Sequence, residues 1–504
     1  MSTLQDYLSE IANAIRTKEN SEGTINAQDF SNRILNLETG SSSEDLNYDY
    51  FAGIRNDSGF ILGKYDLSGN MYNAFSYSQS EGMPFVGNGI VNIVNSFRYC
   101  NNLSGHPVCP TNATNMRYSY YSCGNITGQP SCENNVLDMS HSYEDCENLT
   151  GNPACGENVT NMAYAYSGCY NLTGNPACGE NVTNMAYAYR YCRNLTGSPV
   201  CGDKVTDMSN AYSDCDKITG APACGENVVD MSDAYRGCKQ LTGPPVCGNN
   251  VTNMCDVYNG CSNLTGSPVC TDKVVNMVNA YSSTDVTGQP VLSNSVTNMY
   301  YMYYYCDKLT GSPVCSDMVT DMTNCYSYCR NLTGSPVCGN NVVNMHDAYS
   351  SCTKLNGSPV CGEKVKDMVG TYGFCYNLTG NPVCGNNVIN MYGAYSSCKN
   401  LNGDFYCGEN VTCIDGAFSR CVNLTGNHYY NNSNKITETN GAYRGTEKRI
   451  NIFIPYSRNR YFNGTGKNEK GSLTGRSISW SKISDENGEG YYNASANLYI
   501  YPIS

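Results

Sequence analysis

A 23-residue unit constrains this chain more than any other feature. From Cys146 to Gly168 it reads C-E-N-L-T-G-N-P-A-C-G-E-N-V-T-N-M-A-Y-A-Y-S-G, and it returns with few changes at Cys169 and Cys192. The methionine of V-T-N-M keeps the register: Met116, Met139, Met162, Met185, Met208, Met231, Met254 and Met277 are each 23 residues apart. One residue drops out before Met299, and the count resumes at Met322, Met345, Met368 and Met391. Weaker copies stand around Met71, Ile93 and Ile414, giving about sixteen units between residues 65 and 426. A fixed period of this length marks a solenoid, which grows by stacking rather than around one large core.

Within a unit, Leu149, Val159, Met162, Tyr166 and two cysteines recur as apolar positions, separated by Asn, Gly, Pro and Thr turn-makers. N-L-T-G-x-P-V-C has room for one short strand. Met, Tyr and Cys of V-T-N-M-x-x-A-Y-x-x-C stand four and three residues apart, the spacing of a buried helical stripe. One strand plus one short helix per coil is the leucine-rich-repeat plan, so the expected fold class is an α/β solenoid. The Asn of N-L-T is expected to turn its amide inward, pairing backbone groups of a buried turn.

The residues C-x-N-L-T and V-T-N-M-x-x-A-Y, with the period, resemble the BspA-type leucine-rich repeats of bacterial surfaces. The chain departs from them in using Tyr for Phe and a second cysteine for an aliphatic strand residue. The resemblance implies adhesion and binding of protein or glycan.

Residues 1–40 are expected to form a separate helical segment. Leu4, Tyr7, Leu8, Ile11, Ala12 and Ile15 share one helical face, and a second short helix is expected after Asn26. Residues 41–64 read as a Ser-rich linker followed by an N-terminal cap. The stretch Ile11 to Ile34 (I-A-N-A-I-R-T-K-E-N-S-E-G-T-I-N-A-Q-D-F-S-N-R-I) resembles the opening of tail and baseplate proteins in phages of Gram-positive gut bacteria. That resemblance implies attachment to a virion tail, assembled in the host cytoplasm, with other tail proteins as partners through residues 1–40 and a homotrimer as the expected oligomer. After Gly426 the repeat is expected to stop. Ile450, Ile452 and Ile454, Ile478 and Trp480, then Leu498 and Ile500 alternate, predicting a small β domain over 427–504 as cap or distal knob.

The 30 cysteines fall mainly into two series. Cys146, Cys169 and Cys192 follow A-Y-x-x; Cys155, Cys178 and Cys201 follow the strand proline. Both series lapse together between Ser283 and Leu292, as paired cysteines would and as one degenerate coil would. Two ladders of reduced thiols are expected, because a virion protein is built in a reducing cytoplasm. Zinc is not expected: C-x-x-C pairs are absent and the four histidines are scattered.

A net charge of −13 without a basic run argues against nucleic acid. No apolar run is long enough to cross a membrane, and no hydrophobic signal follows Met1. No catalytic or cofactor motif appears, and the carboxylates Glu157, Glu180 and Glu226 occupy equivalent repeat turns, so neither an enzyme nor a cofactor is expected. The variable positions carry tyrosine and arginine. Tyr300, Tyr301, Tyr304 and Tyr305 form the densest cluster, with Tyr187, Arg190, Tyr191 and Arg193 as a second. Tyr and Arg on a rigid frame gain contact area at low entropy cost, which suits a host cell-surface protein or glycan. The function expected is receptor binding by a phage tail fibre or tail tip. A cellular adhesin of the same fold, or a tail spacer without a ligand, are the alternatives.

Overall fold

The computed structural model describes residues 69–79, 89–431, 435–455, 481–493 and 497–503. The helices, linker and cap expected before residue 65, and the pair Ile478 and Trp480, lie outside these residues. The chain divides into two compact units, Met1–Gln240 and Leu241–Ser504, and each is a stack of coils.

The repeat is a solenoid coil, but the expected helix is replaced. No α-helix occurs among the described residues. In the first unit, alternate N–H groups leave the coil: Met162 donates to the Asn184 carbonyl (3.0 Å), Tyr164 to Ala186 (2.8 Å), Tyr166 to Ala188 (2.8 Å) and Gly168 to Arg190 (2.8 Å). The N–H groups between them close tight turns, Ala165 onto Met162 (3.0 Å), Ser167 onto Tyr164 (3.2 Å) and Cys169 onto Tyr166 (3.1 Å). A helix cannot share its donors in this way. Tyr164 (φ 58°) and Gly168 (φ 77°) take left-handed backbone, which breaks the helical path twice per coil. The four-and-three spacing is still satisfied, because the train of turns brings Met162, Tyr166 and Cys169 to one fully buried side with Val159 and Leu172.

The expected strand is also absent from most coils, and a tyrosine hydroxyl explains why. In P-A-C the proline has no N–H to donate. The following residue, Ala154, gives its N–H to Tyr166 Oη (3.0 Å), and the same hydroxyl donates to the Ala154 carbonyl (2.6 Å). Both backbone groups are therefore used inside the coil. The same clamp joins Tyr189 to Ala177 and Tyr212 to Val200 in the first unit, and Tyr326 to Val314 and Tyr349 to Val337 in the second. Strand-like contact between coils shifts to V-T-N-M, where single parallel bridges join Asn161 to Asn184 and Asn184 to Asp207. The tyrosine rings stack one coil on the next, with centroids 5.4 Å apart for Tyr143–Tyr166 and 5.5 Å for Tyr166–Tyr189.

The N-L-T asparagine does not turn inward. Asn148 is exposed, and its amide donates to the carbonyl of Gly124 one coil earlier (2.9 Å). It braces a surface turn.

At the far end of the second unit the coil pattern passes the boundary expected at Gly426. Ile414 donates to the Glu438 carbonyl (2.9 Å), Gly416 to Asn440 (3.0 Å) and Phe418 to Ala442 (2.8 Å). Ile436, Tyr443 and Thr446 fill the buried valine, tyrosine and cysteine places of this extra coil. Two short strands, β1 (Gly69–Asn70) and β2 (Ile90–Asn92), pair in parallel in the first unit. The second unit holds β3 (Phe405–Tyr406), β4 (Gly426–Tyr429), β5 (Ile450–Pro455), β6 (Ser481–Asp485), β7 (Gly488–Asn493) and β8 (Leu498–Ile503), in one sheet of order β3-β4-β5-β8-β7-β6. The pairs from β3 to β8 are parallel, and the hairpin β6–β7 and the pair β7–β8 are antiparallel. The expected β segment thus continues a sheet that begins inside the repeats. Its start coincides with a loss: Phe418 stands where the coils from Met116 to Met391 have the clamping tyrosine, so the backbone of Tyr406, twelve residues earlier, pairs with β4.

Candidate recognition surface

The two positive-φ positions of each coil decide which side chains face outward. They lie two and six residues after the methionine, and Tyr301 (φ 54°) and Tyr305 (φ 61°) occupy them after Met299. Met302 and Tyr303 turn into the core, while Tyr300 and Tyr305 are 39% and 45% exposed. The expected cluster does assemble. Ring centroids are 4.5 Å apart for Tyr300–Tyr301, 4.9 Å for Tyr301–Tyr304 and 6.0 Å for Tyr304–Tyr305. Tyr328 of the next coil closes the group at 5.8 Å from Tyr304 and 5.3 Å from Tyr305. Arg330 lies 5.6 Å from the Tyr305 ring centroid and pairs with Asp307 at 3.5 Å. The rings are tilted rather than stacked, so they form a faceted patch. Burial raises the Tyr301 and Tyr304 hydroxyls above their ordinary range, and they stay protonated donors at neutral pH.

In the first unit the arrangement is a ladder. Tyr118, His141, Tyr164 and Tyr187 stack in sequence, with centroids 4.3, 4.6 and 4.3 Å apart. Arg190 lies over Tyr187 (5.3 Å) and Tyr191 (4.4 Å), while Arg193 covers Tyr170 (5.4 Å). Of the expected residues, Arg190 touches both Tyr187 and Tyr191, and Arg193 turns to Tyr170 instead. Sequence reasoning missed His141, which looks like a scattered histidine until it is placed in the column two residues after the methionine. It missed Tyr328 for the same reason, since its column is that of Tyr305.

None of the 30 cysteines is in a disulfide. In the buried series Cys146 Sγ donates to the Tyr120 carbonyl (3.0 Å), Cys169 to Tyr143 (3.0 Å) and Cys192 to Tyr166 (3.1 Å), so each thiol ties two coils. The second series is half-buried, and Cys132 Sγ accepts from Gly156 N–H (3.3 Å). Where both series lapse, Thr284 takes the buried place and donates to the Tyr281 carbonyl (2.7 Å). That carbonyl belongs to Thr284's own coil, whereas the thiols reach the tyrosine carbonyl of the coil before, so this degenerate coil lacks the sulfur tie to the coil before it. Burial pushes the Cys155 and Cys201 thiols up to about 12 and holds Cys146 and Cys169 high as well. Iodoacetamide at pH 8 should therefore leave the buried series unmodified in the native protein and label 30 thiols after denaturation without reductant. A lower count by mass spectrometry would reveal disulfides.

No metal ligand is expected from the sequence. The structure gathers the donor atoms of Cys413, Asp415 and Glu438 within 4.8 Å of one another. Burial pushes the Cys413 thiol up to about 12, so it is protonated at neutral pH.

These coils and surfaces define a repeat protein of solenoid type. Residues 229–337 match a family described as "Mycoplasma protein of unknown function, DUF285". No curated protein and no solved structure matches the chain.

Proposed function

We propose that the chain is a receptor-binding protein of a phage tail, recognising the host cell surface through the outward faces of its coils. One observation carries the reading: Tyr300, Tyr301, Tyr304, Tyr305 and Tyr328 gather with Arg330 on a frame held by hydrogen bonds between coils. Aromatic and arginine side chains already fixed in place lose little entropy on binding. Residues 1–40 would join the protein to other tail components, in a homotrimer.

The test is adsorption of the labelled full-length chain to a panel of Gram-positive gut bacteria. Strain-selective binding that falls at least about tenfold in a Tyr300→Ala/Tyr305→Ala variant is expected. Uniform absence of binding would leave a structural tail component. The similarity to a family of cellular proteins favours a second reading, a bacterial surface adhesin of the same fold. Immunogold labelling separates the two, since virion tails label under the first and producing cells under the second.

A further inference from the structure

We infer that the outer face of the C-terminal sheet is a second binding site, distinct from the tyrosine patch, and that its ligand is a neutral oligosaccharide. Two rows of side chains share this face. Tyr406, Tyr429, Phe453 and Tyr501 are in register across β3, β4, β5 and β8, with ring centroids 4.8, 4.9 and 5.4 Å apart. Two residues away along the strands, Asn427, Asn451, Tyr499 and Tyr492 form the second row. The Asn451 amide donates to the Asn427 side-chain oxygen (2.9 Å), and the Tyr499 and Tyr492 rings meet at 4.5 Å.

The opposite face carries Ile450, Ile452, Ile454, Leu498 and Ile500 and is fully buried; in the aromatic row Tyr501 is buried too, Tyr429 and Phe453 are half-buried, and Tyr406 is the open end. Tyr406 is 60% exposed. The aromatic row also breaks the repeat. D-F-Y-C replaces S-P-V-C, and the column of Tyr406 holds Val, Ala or Ser in earlier coils, as at Val337 and Val360. Large rings enter this column where the clamping hydroxyl is lost and a continuous sheet can support them.

The chemistry of the face selects the ligand. Rings present C–H edges and hydroxyls, while the neighbouring row presents amides and further hydroxyls. The rows lie about 6.7 Å apart along the strands, close to the span of one pyranose. A sugar offers C–H groups on one side and hydroxyls at its rim, which suits an aromatic row beside an amide row. Among the described residues the charges on this face are Arg449, Asp485 and Asp404, which stands beside Asn427 and accepts its N–H (2.7 Å). Arg449 is bound to Asp485 (2.8 Å), Tyr501 Oη donates to the same carboxylate (2.5 Å), and Arg449 lies 4.1 Å from the Tyr499 ring centroid. An anionic chain would meet Asp404 and Asp485, and a cationic one would meet Arg449. A neutral sugar meets neither as an opponent.

The experiment is a glycan array of neutral hexosaccharides (glucans, mannans, galactans and N-acetylglucosamine oligomers) probed with the full-length chain, followed by calorimetry on the best binder. Tyr406→Ala, Tyr429→Ala and Asn451→Ala are each expected to weaken that binding at least about tenfold, whereas Tyr300→Ala/Tyr305→Ala leaves it unchanged. Tyr406→Phe, which keeps the ring, should restore most of the affinity, and unchanged thermal unfolding of each variant excludes collapse of the sheet. Binding to no saccharide overturns the inference. So does binding that survives the three sheet substitutions, binding that is lost with Tyr300 and Tyr305, or a preference for charged glycans on a control panel. Cell adsorption is read separately, so a receptor reading that fails leaves this result standing, and the reverse holds too.

Discussion

Below about pH 6.5 the C-terminal coils are expected to lose stability at up to about 1.4 kcal/mol per pH unit, through one buried histidine. His428 lies wholly inside the second unit, beside Phe405, Phe418, Tyr430 and Tyr443. Its Nδ1 is 2.7 Å from Tyr443 Oη, and Tyr430 Oη reaches the same hydroxyl at 2.5 Å. Burial, weakly opposed by the nearby backbone of Thr425 and Gly403, lowers the imidazole from 6.5 to about 3. The folded form thus holds the ring neutral while the unfolded chain takes up a proton. The contribution is complete above pH 6.5 and is lost as the pH falls toward 3. Thermal unfolding of the full chain at pH 7 and pH 4 should show a drop in the C-terminal transition, and His428→Leu should flatten it. An equal drop in both proteins would place the sensitivity elsewhere, in the aspartates for instance.

The second large effect comes from removing one oxygen. Tyr166→Phe keeps the ring and its stacking on Tyr143 and Tyr189 but leaves both Ala154 backbone groups without their partner. An unsatisfied, largely buried polar group costs about 1–3 kcal/mol, so the exchange should cost about 2 kcal/mol in urea unfolding of the first unit. Tyr164→Phe is the control, since that ring stands in the surface ladder. Equal effects at the two positions would show that the clamp carries no special weight. The clamp also accounts for the way this chain departs from BspA-type repeats. Tyrosine replaces phenylalanine where the P-x-C segment has backbone groups to satisfy, and phenylalanine returns at Phe418, where a strand takes them over.

Reading the sequence picked out Leu149, Val159, Met162, Tyr166 and two cysteines as the apolar positions of a unit; all are fully buried except the second cysteine, Cys155, which is half-buried. It also found the aromatic cluster at Tyr300, Tyr301, Tyr304 and Tyr305 and both cysteine series. What it could not give was the backbone path between them. Spacings of four and three residues fit a helix, and they fit equally a train of turns with left-handed residues at Tyr164 and Gly168. Periodicity reports which side chains are buried, not where each N–H goes.

The period, the buried columns and the stacking of like on like are properties of the sequence itself, because a unit repeated at constant length can bury its apolar positions only against its own copies. Tertiary structure decided the rest. Whether the Met162 N–H closes a helical turn or reaches Asn184 depends on a carbonyl that exists only once the next coil is in place. The same holds for the extra coil at residues 435–446, whose weak likeness to the repeat becomes evident when Glu438, Asn440 and Ala442 accept from the coil before. Hydrogen bonds between coils are long-range facts, and a local pattern cannot record them.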